Sequence, residues 1–143
     1  MHIAGSIMTW TAARPEDYSG KVVGNGHCVA FVRESSGAPH TSEWRRGPQV
    51  RFLPGKDQRG LAIATFDTDR RYGNHTDGRS HTAILVVRLD DGLLVWDQWL
   101  GQPVHQRTIR FRGGQGDAAN DGDAYHVIVG ETGAHRETAS ATI

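Results

Sequence analysis

Cysteine is the scarcest reactive residue here, with a single copy, Cys28, in a chain of 143 residues. One thiol makes no internal disulfide and cannot supply the multi-cysteine sets of structural zinc sites, so the fold does not rest on oxidative stapling. An excess of either charge is also missing. Sixteen Lys/Arg and sixteen Asp/Glu cancel, which leaves no global field to draw in nucleic acid or an anionic membrane. Arg45-Arg46 and Arg70-Arg71 are isolated pairs that read as solvated surface. No apolar run approaches the roughly 20 residues of a membrane span. Residues 1–8 lack the charged and apolar regions of a signal peptide, so the expectation is synthesis in the cytoplasm, with other machinery carrying the protein to any site of action outside it. With 37% hydrophobic and 22% charged residues, the chain reads as one globular domain over residues 1–130 and a small-residue, polar, disordered tail over 131–143.

What is present is organised around Gly24-Asn25-Gly26-His27-Cys28-Val29-Ala30-Phe31-Val32. Glycines at 24 and 26 permit a sharp turn, and the apolar run that follows predicts a helix from about Cys28 to Glu34, ended by Gly37. A sulfur at a helix start meets unpaired N–H groups and the positive end of the helix dipole, which favour thiolate over thiol.

Two further stretches complete a chemistry. Ser80-His81-Thr82-Ala83-Ile84-Leu85-Val86-Val87 and Gly92-Leu93-Leu94-Val95-Trp96-Asp97-Gln98-Trp99 are apolar runs joined by an Asp-Asp-Gly turn, a hairpin signature. Folding about that turn brings Asp97 and Gln98 to the level of His81. Amide cleavage by cysteine needs a thiolate, an imidazole that takes and returns its proton, and a polar group that fixes the imidazole. Cys28, His81 and Asp97 fit those roles. Gln98 competes with Asp97, because adjacent strand residues face opposite sides and only one can meet the ring; Asp97 is preferred for its charge. The backbone N–H of Cys28 is the natural first oxyanion donor, with His27 or Asn25 as a second. This chemistry calls for no cofactor. Nor is a metal expected: His75 and His81 are six residues apart with Asp77 between them, but no His-Glu-x-x-His pattern exists. His2, His40, His105, His126 and His135 have no partner pattern and read as surface or packing residues.

Along the rest of the chain, Pro15-Glu16-Asp17-Tyr18 reads as a short helical turn, and Thr41 or Ser42 as the cap of another. Trp44 is expected to pack on the nucleophile helix. Residues 50–53 read as extended. Strands are expected over residues 61–66, 103–111 and 124–129. Residues 67–79 form a polar loop at the rim of any site, and residues 113–122 a mobile surface loop.

The run from Gly24 to Val32, with Gly37-Ala38-Pro39-His40-Thr41, Trp44-Arg45-Arg46-Gly47, Ala62-Ile63-Ala64-Thr65-Phe66, the stretch from Gly78 to Ile84, and Val95-Trp96-Asp97-Gln98-Trp99, resembles the BPSL0067 family of small bacterial proteins. That family is similar to the CHAP and NlpC/P60 group of papain-like cysteine amidases. The resemblance implies an α+β papain-like fold, with N-terminal helices packed on an antiparallel β-sheet, and cleavage of amide bonds in peptidoglycan stem peptides. Carried over by position, Cys28 is the nucleophile, His81 the base and Asp97 the third member. The residue before the cysteine, commonly Gln in CHAP-like proteins, is His27 here. Relatives of this kind include antibacterial toxins injected by type VI secretion, which implies action in the periplasm of a target bacterium, a cognate immunity protein and a secretion-apparatus carrier. Two other classes are compatible with the residues: a catalytically silent wall- or partner-binding module, and a cysteine acyltransferase or deamidase acting on protein.

Overall fold

The computed structural model describes residues 7–55 and 58–131. Seven strands form one antiparallel sheet: β1 (Ile7–Met8), β2 (Arg45–Gln49), β3 (Ala62–Thr65), β4 (Thr82–Arg88), β5 (Gly92–Trp99), β6 (Gln102–Arg110) and β7 (Tyr125–Glu131). Their spatial order is β1-β7-β3-β4-β5-β6, with β2 also pairing with β7. The helix α1 (Cys28–Ser36) packs on β4 and β5. This is the α+β, papain-like layout expected from the resemblance, with one departure. The described residues hold a single α-helix instead of several; the other helical pieces are 3-10 turns such as Pro15–Tyr18 and Thr41–Glu43. Segments that short gain too few hydrogen bonds to propagate, and after Trp44 the chain is claimed by pairing between β2 and β7.

α1 runs two residues past its expected end, to Ser36, and stops at Gly37, whose φ of 79° is the left-handed cap that glycine adopts without a Cβ clash. Its inner side buries Phe31 and Val32 against Trp44, Ala62, Ile84 and Ile128. Trp44 is fully buried in this cluster and donates its indole N–H to the Pro39 carbonyl at 2.9 Å. The other face of the sheet buries a second cluster that includes Ile63, Ala83, Leu85, Val95 and Ile109. Period-2 alternation along β3 and β4 divides Ala62, Ala64 and Ile84 from Ile63, Ala83 and Leu85 in this way.

Two expectations are corrected. Residues 50–52, expected to be extended, form a 3-10 turn. The segment 113–122, expected to be a mobile loop, is tied down by the buried Asp121 carboxylate, which accepts from the backbone N–H groups of Arg112 (2.8 Å), Gly114 (2.7 Å) and Asp123 (2.9 Å). The tail expected over 131–143 and the histidines at 2 and 135 lie outside the described residues, except that β7 continues through Glu131. Phe31 is the anchor between helix and sheet; Phe31→Ala should lower unfolding free energy by about 3–5 kcal/mol, measured by urea titration.

Candidate active site

The start of α1, the leading end of β4 and the trailing end of β5 meet in one cleft of ≈ 1050 Å³, lined by Asn25, His27, Cys28, Tyr72, His81 and Trp99 among others. Cys28 is the first residue of α1. It is presented by the glycine loop, where Gly24 has φ 57° and a Cβ would stand 2.9 Å from that of Ala30. The loop is held from the sheet by Gln98. Its amide accepts from the Val23 N–H at 3.0 Å and donates to the carbonyls of Val23 (2.9 Å) and His27 (2.8 Å). Asn25 Oδ1 accepts from the His27 N–H at 3.0 Å, closing the turn before the helix. His27 caps the helix by backbone conformation alone, and its side chain is exposed.

His81 stands immediately before β4, fixed by paired contacts with Thr65: its N–H donates to Thr65 Oγ1 at 3.0 Å and its carbonyl accepts from the Thr65 N–H at 3.0 Å. Asp97 on β5 is fully buried and lies 2.8 Å from His81 Nε2 through Oδ2. Nε2 is thereby spent on the carboxylate, which leaves Nδ1 as the ring nitrogen for the sulfur. Arg107 Nε donates to the same Oδ2 at 2.8 Å, and His105 Nε2 stands 3.0 Å from Oδ1. That last pair is close but poorly aligned for a hydrogen bond, so its content is electrostatic and depends on protonation of His105. Trp99 roofs the group, with Arg107 over its ring at 5.1 Å and the rings of His81 and His105 edge-on at 6.2 and 5.1 Å.

The electrostatics follow from these contacts. Burial pushes the Cys28 thiol up, but hydrogen bonding and charge from His81, with the Thr82 backbone and the Tyr72 hydroxyl adding to them, carry it below its ordinary value. Burial opposes charge on His81 as well; its hydrogen bonds to Asp97 and Cys28 overcome this and lift the ring to about 9. Asp97 is disfavoured by burial and rescued by His81 and Arg107, so it titrates below the usual carboxylate range. All three directions favour a thiolate–imidazolium pair backed by a carboxylate.

A profile of the family described as domesticated amidase effector 2 matches residues 2–128. The chain belongs to that family. A relative named domesticated amidase effector 2, from Ixodes scapularis, is 36% identical over 120 residues, covering 80% of each chain. Among solved structures the fold is similar to that of a type 6 secretion amidase effector 2 (Tae2), with a TM-score of 0.69 and 26% identity over 82% of this chain and 92% of that one.

Of the residues singled out in this amidase effector's sequence, the structure brings Cys28, His81 and Asp97 together and sends Gln98 to the other task of holding the glycine loop. His105, expected to be a surface or packing residue, is instead a neighbour of the Asp97 carboxylate. Arg107 and Tyr72 are further members that sequence reasoning missed. His40 does serve locally, accepting from the Ser42 N–H, and His126 packs edge-on against Phe66. His75 pairs with Asp67 at 2.8 Å. Among the described residues no three His, Cys, Asp or Glu side chains converge as metal ligands.

Three outcomes are expected. Because the thiol is lowered by His81 against the pull of burial, iodoacetamide alkylation of Cys28 followed against pH should show a midpoint below that of a free thiol. His81→Ala should move that midpoint upward, since burial then acts unopposed by the ring. Gln98→Leu removes three hydrogen bonds to loop backbone and should cost about 1–3 kcal/mol in denaturant titration.

Proposed function

We propose that this amidase effector hydrolyses amide bonds of peptidoglycan stem peptides by a cysteine mechanism of the CHAP and NlpC/P60 kind. The observation that carries the reading is the cysteine at a helix start beside a carboxylate-bound imidazole, in an open cleft of a chain whose family is named for amidase effectors. In the proposed reaction the Cys28 thiolate attacks the carbonyl carbon, and the backbone N–H at the start of α1 donates to the oxygen as it gains charge. His81 delivers its proton to the departing amine and afterwards takes one from the water that hydrolyses the thioester. Asp97 holds the ring in the tautomer and orientation that both steps need.

We further propose that the protein is made in the cytoplasm, handed to a secretion-apparatus carrier and active in the periplasm of a rival bacterium, with a cognate immunity protein guarding the producer. The likeness to a type 6 secretion amidase effector supports this reading. It requires periplasmic expression to be toxic where cytosolic expression is not.

The deciding experiment is digestion of purified muropeptides by the wild type and Cys28→Ala, read by mass spectrometry. Cleaved stem peptides from the wild type alone are expected. Retention of the biological effect by Cys28→Ala would point to a binding module, and intact muropeptides alongside a modified protein substrate would point to an acyltransferase or deamidase.

A further inference from the structure

We infer that Tyr72 is a catalytic residue, whose hydroxyl is the side-chain donor to the oxygen of the tetrahedral intermediate formed at Cys28. The inference rests on the amide-cleaving reading above and adds a residue to its machinery.

Tyr72 lies in the loop between β3 and β4, lines the cleft and is buried, with 8% of its surface exposed. Its ring is clamped by Trp44, with centroids 5.0 Å apart, and by Phe66 at 6.5 Å. Such a clamp leaves the hydroxyl little freedom. Among the described residues that hydroxyl has one hydrogen-bond contact, Cys28 Sγ at 3.8 Å. A buried tyrosine O–H normally finds a carbonyl or carboxylate, as Tyr125 does on the Ala119 carbonyl at 2.7 Å. Tyr72 faces the nucleophile instead.

The separation is informative. At 3.8 Å the hydroxyl is too far for a strong bond to the sulfur itself. Once a carbonyl carbon is bonded to the sulfur, its oxygen can lie beside the line from Sγ to the hydroxyl and within hydrogen-bond reach of it, which is the geometry of a donor aimed at the intermediate. Burial and the neighbouring Cys28 both push the phenol above its ordinary value, so it keeps its proton and can only donate to an anion.

Asn25 and His27, first considered for this duty, are exposed side chains, and Gln98 is spent elsewhere. Asn25 Oδ1 is engaged by the His27 N–H, the Gln98 amide is spent on three backbone groups, and no hydrogen bond or ring contact among the described residues holds the exposed His27 side chain toward the sulfur. In the step itself, a pair on Sγ forms the S–C bond while the carbonyl π pair moves onto oxygen, which accepts hydrogen bonds from Tyr72 and from the helix start without proton transfer. On collapse the pair returns to the carbonyl, the C–N bond breaks, and the amine leaves with the proton from His81.

Tyr72→Phe keeps the ring and its packing on Trp44 and Phe66, so the fold is preserved. On muropeptides it should lower kcat about 10²–10³-fold at every pH tested, with KM little changed. The pH midpoint of Cys28 alkylation by iodoacetamide should rise far less than in His81→Ala, because Tyr72 makes the smallest of the contributions that lower this thiol. Undiminished kcat would overturn the inference. So would a loss that vanishes at high pH together with an alkylation midpoint raised as far as in His81→Ala, because Tyr72 would then act chiefly by holding the thiolate. A dipeptide aldehyde, which adds to Cys28 as a hemithioacetal, gives a readout independent of amide cleavage: Tyr72→Phe should bind it about tenfold more weakly, and equal binding would overturn the inference. Wild type that takes the aldehyde but leaves muropeptides intact would count against the substrate reading and not against Tyr72.

Discussion

A carboxylate with no exposed surface governs this molecule. Asp97 sits where an unpaired charge would cost several kcal/mol, and the arrangement around it answers that cost through one oxygen, which His81 and Arg107 share at 2.8 Å each, while the other lies 3.0 Å from His105 without an aligned hydrogen bond. The residue entering β4 and two residues of β6 supply the partners, with Trp99 packed over the rings of His81 and His105 and the guanidinium of Arg107. The imidazole at the cysteine is therefore one arm of a buried ionic group, and its orientation is set by the same contacts that make the burial of Asp97 tolerable. That coupling ties the chemistry to the integrity of the sheet.

The other half of the site is held by neutral groups. Gln98 fastens the loop that presents Cys28, and α1 is fixed from below by Phe31, Val32 and Trp44. The division matches the physical demands. A nucleophile needs its backbone positioned, which amide hydrogen bonds do well, whereas a base needs a charge nearby to hold its proton. The helix start is likewise satisfied by backbone conformation and by Asn25, not by the side chain of His27.

The elements of the site were legible in the chain, because a glycine-punctuated loop before an apolar run and an Asp-Asp-Gly turn between two apolar runs each have a direct local cause. Which side chains face one another was only partly legible, and the reason is register. Counting back regularly from the Arg88↔Leu93 pair would set Asp97 opposite Ile84, on the face that packs beneath the helix. An irregularity between Leu85 and Val87 shifts the pairing to Ile84↔Trp96 and turns Asp97 to the face of His81. A second irregularity between Asp97 and Trp99 does the same on the far side. Regular pairing from Trp99↔Gln102 would present Val104 to the carboxylate, whereas the bulge presents His105 and, two residues on, Arg107. Bulges leave no compositional mark, so these two partners escaped a reading based on alternation. Tyr72 escaped for another reason: it lies in a polar loop whose path over Cys28 is set by the nearby Phe66 and by Trp44, a contact far off in sequence.

Asp97 and Gln98 are consecutive residues, one gripping the His81 imidazole and the other gripping the loop that carries Cys28. In a machined assembly, two parts keep their alignment best when both are located from a common datum, since errors then do not accumulate along a chain of joints. β5 is that datum. A single peptide link separates the two grips, so sulfur and imidazole are both referred to one short stretch of one strand.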